Sequence, residues 1–306
     1  MHVFTHAVCL RHDPGAAHPE CPARLSAVLS ALREAFPQAH WHDAAPATRA
    51  QLARVHTTEM IEQVLVQGDA YPRRIDQDTV MSAESADAAL HACGAGIMAV
   101  DAVLAGDAVH AFCAVRPPGH HATAAQAMGF CLFNAVAVAA AHALSAHGLS
   151  RVAVIDFDVH HGNGTQDIFA AEPRVLYLSS HQSPLYPGTG RAGDTGVGNL
   201  VNAPLAPGSG SADFRAAWAS TLLPALAAFR PELVLVSAGF DAHRLDPLAD
   251  LQLEAADFTW LGAELADRAA APCRGVVCLL EGGYSLTALA ECSVAWLQGL
   301  TGHGRS

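Results

Sequence analysis

Two aspartates and two histidines follow an apolar stretch near the middle of the chain, in the string VAVIDFDVHHGNG at residues 152–164. If the stretch is a β-strand, Asp156, Asp158 and His160 point to one face, because side chains alternate along a strand. Two neighbouring buried carboxylates repel one another and lose their hydration unless a cation lies between them. A carboxylate and an imidazole two residues apart suit zinc. The alternative is a strand end capped by hydrogen bonds.

A further aspartate, Asp241, follows the apolar run at 233–237. It could supply a third metal ligand after Asp158 and His160. Three protein ligands leave one coordination position open, which is the pattern of catalytic rather than structural zinc sites. An aspartate after a strand is also a common helix cap, and His243 is a competing candidate ligand.

Two adjacent histidines, His120 and His121, stand in the string RPPGHHA at residues 116–122. The two prolines and the glycine build a rigid turn that presents both rings at a predicted strand end. A lone histidine is usually structural, whereas a pair in this position indicates function. Neutral imidazole near pH 7 can accept a proton from water and deliver it to a leaving amine.

A tyrosine, Tyr284, ends the string LEGGY at residues 280–284. The glycines let the backbone approach a site closely, and the phenol could donate to an oxyanion. In isolation the string is equally typical of a packed tyrosine after a turn. Together, the three clusters and this phenol supply the metal ligands, the base and the hydrogen-bond donor that metal-assisted hydrolysis of an amide requires.

Apolar runs alternate with helical patterns along the chain. The predicted strands are Val3–Leu10, Val109–Val115, Val152–Asp158, Val175–Ser179, Leu233–Ser237 and Val276–Leu280. The predicted helices are Ala23–Phe36, Glu59–Gln67, Ser82–Ala105, Asn134–His147, Ser211–Phe229, Ala255–Ala270 and Leu286–Leu300. Apolar strands separated by helices indicate a parallel sheet covered on both faces. We therefore predict one three-layer α/β domain over residues 1–306, with the polar clusters at the carboxyl ends of strands, where open parallel sheets bind ligands.

The composition fits a large core and an acidic surface. The 306 residues are 51% hydrophobic and 15% charged, with a net charge of −12. This charge argues against non-specific binding to nucleic acid and is compatible with a cationic substrate. No apolar run approaches the roughly 20 residues of a membrane span, and the N-terminus lacks the pattern of a signal peptide. The eight cysteines form no CxxC pair, so we expect free thiols and a cytoplasmic protein. We expect no membrane partner, and a homo-oligomer is possible.

Six strings in the chain resemble motifs of the histone deacetylase family: RPPGHHA, GFCLFN, IDFDVHHGNGTQ, YPGTG, SAGFDAHRLDPLA and LEGGY. They stand in the family's order and, with residues 18–20, span nearly the whole chain. The resemblance is to class II enzymes and to bacterial histone-deacetylase-like and acetylpolyamine amidohydrolases. It implies the arginase/deacetylase fold with a central parallel sheet of eight strands, and an acetylated amine as substrate.

The resemblance also implies roles for individual residues. Zinc would be held by Asp158, His160 and Asp241. His121 would act as general base and then general acid, with Asn163 behind it, Asp156 would support His120, and Tyr284 would polarise the substrate carbonyl. A structural potassium ion would be held by Asp156, Asp158, His160, Ser179 and Ser180.

A tunnel for the acyl-lysine side chain follows from the same resemblance. Its residues are Phe130 and Tyr186 as aromatic walls, Gly129 and Gly283 beside the acyl chain, Leu248, Arg24 on the floor near an acetate exit, and Asp78 on the rim. Tyr186 departs from the usual Phe and could add a hydroxyl at the rim. Asn163 stands where class I enzymes have Asp, and a neutral amide there lowers the basicity of His121.

Three alternative functions each require a different residue type at one or two positions of the chain. Leu248 stands where polyamine-specific members have Glu, which favours acyl-lysine over acetylpolyamine without excluding the latter. Gly162 stands four residues after Asp158, where binuclear ureohydrolases such as arginase have a second acid. A non-catalytic acyl-lysine binding module would lack the base or the phenol, and both His121 and Tyr284 are present.

Overall fold

A parallel β-sheet of eight strands forms the centre of the protein. The computed structural model describes residues 1–66, 71–268 and 272–302. The described strands are β1 (His2–Thr5), β2 (His40–Asp43), β3 (Arg73–Arg74), β4 (Val80–Met81), β5 (His110–Cys113), β6 (Val152–Asp156), β7 (Val175–Gln182), β8 (Leu200–Leu205), β9 (Leu233–Ala238) and β10 (Val276–Leu280). The sheet order is β2-β1-β5-β10-β9-β6-β7-β8, and β3 and β4 form a separate antiparallel pair.

Helices surround this sheet. The described α-helices are α1 (Pro22–Ala35), α2 (Arg49–Leu52), α3 (Thr58–Leu65), α4 (Ser85–Ala105), α5 (Ala135–Ala146), α6 (Asn163–Phe169), α7 (Ser211–Ala217), α8 (Leu223–Phe229), α9 (Ala255–Arg268) and α10 (Leu286–Thr301). Every residue of β6, β9 and β10 is buried, as expected for strands covered on both faces. The predicted parallel eight-stranded sheet between helical layers is confirmed.

Close backbone approaches fix the helices that cover the sheet. Helices α9 and α10 pack together, and α1 packs against α10. A Cβ on Gly262 would lie 2.6 Å from the Trp296 carbonyl oxygen, and one on Gly299 would overlap the Thr259 carbonyl. Glycine at these two positions therefore lets α9 and α10 touch through their backbones.

Two predicted elements differ from the structure in instructive ways. The predicted strand Val3–Leu10 ends at Thr5, because the His6 ring accepts a hydrogen bond from the Val8 N–H and starts a 3₁₀ turn. The predicted helix Ser211–Phe229 is interrupted by a π-helical turn, Trp218–Leu222. Pro224 lacks the N–H that a regular helix needs at this point, which accounts for the wider turn.

Other element predictions differ only in their bounds or by omission. Strands β2 and β8 were not predicted individually: β2 is a polar edge strand, and β8 contains Pro204. Helix α6 was also missed. The last residues of two predicted helices, Gln67 and 269–270, lie outside the described residues.

Helix α4 is, within the described ranges, the one helix long and apolar enough to cross a membrane by length and composition. About 67% of its most apolar window is buried inside the fold. The helix packs against β1, β5, β10 and α5. Core helices of layered proteins are often as long and as apolar as this one, so length and composition alone do not indicate a membrane span.

The sheet order brings the polar clusters of the sequence together. Strands β5, β10, β9 and β6 are consecutive neighbours in the sheet. The strings with His120, Tyr284, Asp241 and Asp158 follow these four strands respectively. Because parallel strands end at the same edge, residues up to 164 positions apart in the chain meet at one place.

Candidate active site

Three predicted metal ligands converge at this edge of the sheet. Nδ1 of His160 lies 3.1 Å from Oδ1 of Asp158 and 3.1 Å from Oδ2 of Asp241. The two carboxylates are fully buried and the imidazole is nearly so. The structure thus brings the three predicted ligands together. The competing candidate, His243, is not among them, and its Nδ1 accepts a hydrogen bond from the Leu245 N–H.

Backbone N–H groups orient both carboxylates. The Gly282 N–H donates to Oδ2 of Asp158 at 2.8 Å, and the Val159 N–H donates to Oδ1 of Asp241 at 2.8 Å. A Cβ on Gly239 would overlap the Asp158 carboxylate, and one on Gly282 would overlap that of Asp241. Glycine is therefore required at two positions that supply no ligand themselves.

The electrostatics of the three side chains fit a cation. Burial, followed by the charge of Asp158, raises the pKa of Asp241 to about 7. Burial opposes a charge on His160, but hydrogen bonds to Asp158 and Asp241 raise its pKa to about 10. A proton on Nδ1 of His160 then lies between the two carboxylates. Two carboxylate oxygens and one imidazole nitrogen around that point are a donor set suited to zinc.

The paired histidines have different partners. Nδ1 of His120 lies 3.0 Å from Oδ2 of Asp156, and this oxygen also accepts a hydrogen bond from the Tyr177 hydroxyl at 3.1 Å. Nδ1 of His121 lies 2.8 Å from Oδ1 of Asn163. With the amide oxygen as acceptor, the proton of neutral His121 is on Nδ1, which leaves Nε2 free to take a proton.

These partners shift the pKa values of the two rings in opposite directions. Burial would lower the pKa of His120, but the carboxylates of Asp156 and Asp158 raise it well above its usual value. Burial, followed by the charges of His120 and His160, lowers the pKa of His121 well below its usual value. His121 is therefore neutral near pH 7, the state that a general base requires.

A buried glutamate, Glu281, lies beneath the histidine turn. Its Oε2 accepts hydrogen bonds from the Gly119 N–H at 2.6 Å and from the His120 N–H at 3.2 Å. The Ser237 hydroxyl donates to Oε1 at 3.3 Å. Burial raises the pKa of Glu281 to about 7. Glu281 follows β10 and the turn follows the neighbouring β5, so this carboxyl group positions the histidine pair.

Replacing Glu281 by leucine is expected to lower kcat/KM by roughly 10- to 100-fold. Leucine leaves two buried N–H groups without an acceptor, which costs about 1–3 kcal/mol of folding stability for each. The turn shifts to relieve this cost, and a displacement of the histidine pair that raises the activation barrier by about 1.4–2.8 kcal/mol gives the expected loss, because every 1.4 kcal/mol is tenfold in rate. Glu281→Gln is the matched control, because its amide oxygen still accepts both N–H groups and its amide nitrogen can donate to the Ser237 hydroxyl. Steady-state kinetics and denaturant midpoints measure the two variants. Equal kcat/KM in both would contradict the positioning role.

The predicted phenol, Tyr284, stands at the end of β10 beside these groups. Its N–H donates to Oδ2 of Asp246 at 2.7 Å, and its ring lies edge-on to Phe130 with centroids 5.9 Å apart. Burial raises the pKa of the phenol well above its usual value. At neutral pH the hydroxyl is therefore a proton donor in hydrogen bonds.

Arg24 is fully buried behind the tyrosine, as the predicted floor residue requires. Its guanidinium lies 4.9 Å from the centroid of the Tyr284 ring and donates to the carbonyls of Gly283 at 2.6 Å and Glu281 at 2.5 Å. Nη1 of Arg24 also pairs with Glu20 at 2.7 Å. Arg24 thus holds the backbone that precedes Tyr284, and its part in acetate exit stays a prediction.

A cavity of about 220 Å³ leads to these groups from the surface. It is lined by Asp78, His121, Gly129, Phe130, His160, Leu185, Tyr186, Leu248 and Tyr284. Five of the predicted tunnel residues are in this lining, and Leu185 was not predicted. At Gly129 a Cβ would lie 2.6 Å from the His121 ring, so glycine leaves room for that ring at the cavity wall.

Gly283 was predicted beside the acyl chain, and the structure places it elsewhere. It does not line the cavity. A Cβ at this position would lie 2.8 Å from Cδ1 of Leu289 and 3.4 Å from Cβ of Phe240. With φ at 120°, Gly283 instead provides a turn that L-residues rarely adopt, between β10 and Tyr284.

The predicted potassium ligands lie together in part. Asp156 is directly opposite Ser179 in the β6–β7 register. The Ser179 hydroxyl contacts Nδ1 of His181 at 2.9 Å. The Ser180 side chain points to the other face, where its oxygen accepts a hydrogen bond from Trp218 at 3.1 Å. Ser180 can therefore contribute through its main-chain carbonyl, and the potassium site stays a prediction.

Several known proteins are similar to this chain in sequence. A family model described as a histone deacetylase domain matches residues 18–300. An uncharacterized protein of Synechocystis is 43% identical over 95% of this chain and 96% of its own. A histone deacetylase-like amidohydrolase of Pseudomonas aeruginosa is 40% identical over 94% of this chain and 77% of its own.

A solved structure gives the same result in three dimensions. The crystal structure of the HDA15 HD domain superposes with a TM-score of 0.93 and 37% sequence identity, covering 99% of this chain and 91% of that domain. The predicted arginase/deacetylase fold is thereby confirmed. Sequence and structure together show that the chain belongs to the histone deacetylase family.

Proposed function

We propose that the protein is a zinc-dependent deacylase that hydrolyses the amide bond of acyl-lysine side chains. As a member of the histone deacetylase family it is a hydrolase acting on amides of acetylated amines. One observation carries the finer proposal: His160, His121 and Tyr284 line the same cavity of about 220 Å³. A ligand atom, a neutral base and a protonated phenol thus face the same small volume.

The residues of the site can be given roles from their geometry. A zinc ion held by Asp158, His160 and Asp241 would polarise the amide carbonyl and acidify a water molecule. Nε2 of His121 takes the proton of the attacking water, because Nδ1 is held by Asn163. The Tyr284 hydroxyl donates to the carbonyl oxygen as negative charge develops on it.

Proton return to the leaving amine completes the reaction. His121 carries the abstracted proton and delivers it to the amine nitrogen. His120, paired with Asp156 at 3.0 Å, keeps a positive charge beside this step. That charge lowers the pKa of His121, so the proton leaves it readily.

The cavity wall supports acyl-lysine as the substrate. Tyr186 and Phe130 supply aromatic surface, and Leu248 supplies apolar surface, along the path of an alkyl chain. Asp78 in the cavity lining lies next to Asp76, whose Oδ1 accepts a hydrogen bond from the Asp78 N–H, so two acidic side chains stand near the path of the peptide. An acetylpolyamine is the second candidate, because this acidic rim would also attract its free ammonium group.

A substrate panel tests the proposal. We expect the highest kcat/KM on acetyl-lysine peptides, with longer acyl-lysine peptides and N-acetylputrescine for comparison, complete loss of activity with a chelator, and its return with added zinc. Faster hydrolysis of N-acetylputrescine would favour the polyamine alternative. Arginine hydrolysis with two manganese ions would favour a ureohydrolase, although Gly162 offers no second ligand. Binding of acetyl-lysine without turnover would favour a non-catalytic module.

A potassium ion is also part of the proposed holoenzyme. The support is the pair of fully buried carboxylates, Asp156 and Asp158, with the Ser179 hydroxyl on the strand opposite. Potassium prefers oxygen ligands, and main-chain carbonyls of His160 and Ser180 are the remaining candidates. Its presence would offset the repulsion between the carboxylates.

A further inference from the structure

A second group of metal-ligand side chains lies on the surface between α4 and α5. Asp101 stands near the end of α4, His142 is in the last two turns of α5, and His147 directly follows α5. Nε2 of His142 and Nε2 of His147 each lie 2.7 Å from Oδ1 of Asp101. All three donor atoms are within 4.8 Å of one another. Two imidazole nitrogens and one carboxylate oxygen are a donor set typical of zinc.

The side chains can open to the spacing that a zinc ion needs. Ligand atoms about 2.0–2.2 Å from zinc in tetrahedral directions are roughly 3.3–3.6 Å apart. Each imidazole nitrogen, now 2.7 Å from Oδ1 of Asp101, must therefore move away from it by about 0.6–0.9 Å. Asp101 is 49% exposed and His147 is 30% exposed, so both can move without disturbing the core. The buried His142 ring is held by the helix and supplies the fixed ligand.

One neighbouring residue, Arg54, opposes metal binding. Its Nη1 lies 3.0 Å from Nδ1 of His142 and can only donate. This contact keeps the proton of neutral His142 on Nε2, where it donates to Asp101. Binding a metal through Nε2 places the proton on Nδ1, facing the guanidinium. Arg54 is exposed and can turn to solvent, so its contact lowers the affinity without blocking the site.

We propose that Asp101, His142 and His147 form a second zinc site, separate from the candidate active site, which ties α4 to α5. Solvent supplies the fourth ligand. At its other end α5 begins at Asn134, whose side chain donates to the Ala122 carbonyl at 3.0 Å, next to His121. The bound zinc therefore stabilises the helix that supports the histidine turn, while the reaction itself proceeds without it.

Zinc binding to the zinc-loaded enzyme tests this site. Calorimetric titration, and elemental analysis after gel filtration, should show a second equivalent of zinc on the wild type and a raised Tm. Asp101→Asn and His147→Ala should weaken this second binding event by at least the roughly 10- to 100-fold that loss of an outer-sphere metal partner costs. Both variants should retain wild-type kcat/KM and the first zinc.

Asp87→Asn is the matched control. Asp87 is also on α4, is 53% exposed and contacts Nδ1 of His91 at 3.2 Å, so its loss should leave the second zinc in place. Arg54→Met removes the competing donor and charge and should tighten binding. A wild type that binds one zinc, or equal second-site affinity in the Asp101→Asn, His147→Ala and Asp87→Asn variants, would overturn the proposal.

Discussion

Tyr284→Phe should lower kcat on an acetyl-lysine peptide by roughly 10²–10³, the usual effect of losing one oxyanion donor. The phenol is half-buried, is protonated at neutral pH and borders the cavity beside His121 and His160. Asp246 holds its N–H and the Arg24 guanidinium lies against its ring, so phenylalanine should keep the ring in place. Removal of the hydroxyl alone therefore accounts for the loss.

Tyr186→Phe is the matched control for this variant. It removes a hydroxyl from the same cavity, but at the rim, where Tyr186 is 38% exposed. Its kcat should stay close to that of the wild type. Zinc content, measured in both variants, should be unchanged. Wild-type kcat in Tyr284→Phe, or an equal loss in both variants, would refute the assigned role of Tyr284.

His121→Ala should lower kcat/KM by roughly 10²–10⁴, the contribution expected of a positioned general base. The ring is neutral near pH 7, lines the cavity and offers Nε2 to the attacking water. Steady-state kinetics at saturating zinc measure the loss. Imidazole added to the variant should restore part of the rate, which a purely structural role of His121 would not allow.

Asn163→Asp probes the same base through its pH dependence. A carboxylate beside Nδ1 favours the charged form of His121 and so raises its pKa. Activity needs the neutral form, so the acidic limb of the kcat/KM profile should move to higher pH. An unchanged limb in Asn163→Asp, together with near-wild-type activity of His121→Ala, would show that another group is the base.

The main parts of the site follow from the sequence because each is encoded locally. An apolar run followed at once by Asp158 and His160, or by Asp241, places these residues at a strand end whatever the rest of the fold does. The sheet order then brings the runs together. Strand alternation was used to predict that Asp158 and His160 share a face, but β6 ends at Asp156, so the turn that follows the strand brings these two side chains together.

The positioning residues could not be predicted in this way, because their partners are distant in the chain. Glu281 accepts hydrogen bonds from N–H groups more than 160 residues earlier, and Asp246 accepts one from Tyr284. Nothing near either residue marks it. Gly283 shows the opposite difficulty. Its place next to Tyr284 predicted a residue of the cavity, whereas in the structure this glycine provides the backbone turn.

The place of β10 in the sheet determines when the site can form during synthesis of the chain. Strand β10 lies between β5 and β9, although it is the last strand in the described sequence. Until it is inserted, the histidine turn and Asp241 have no strand between them, and both Glu281 and Tyr284 are missing. A nascent chain released before residue 284 therefore carries all three metal ligands without a working catalytic centre.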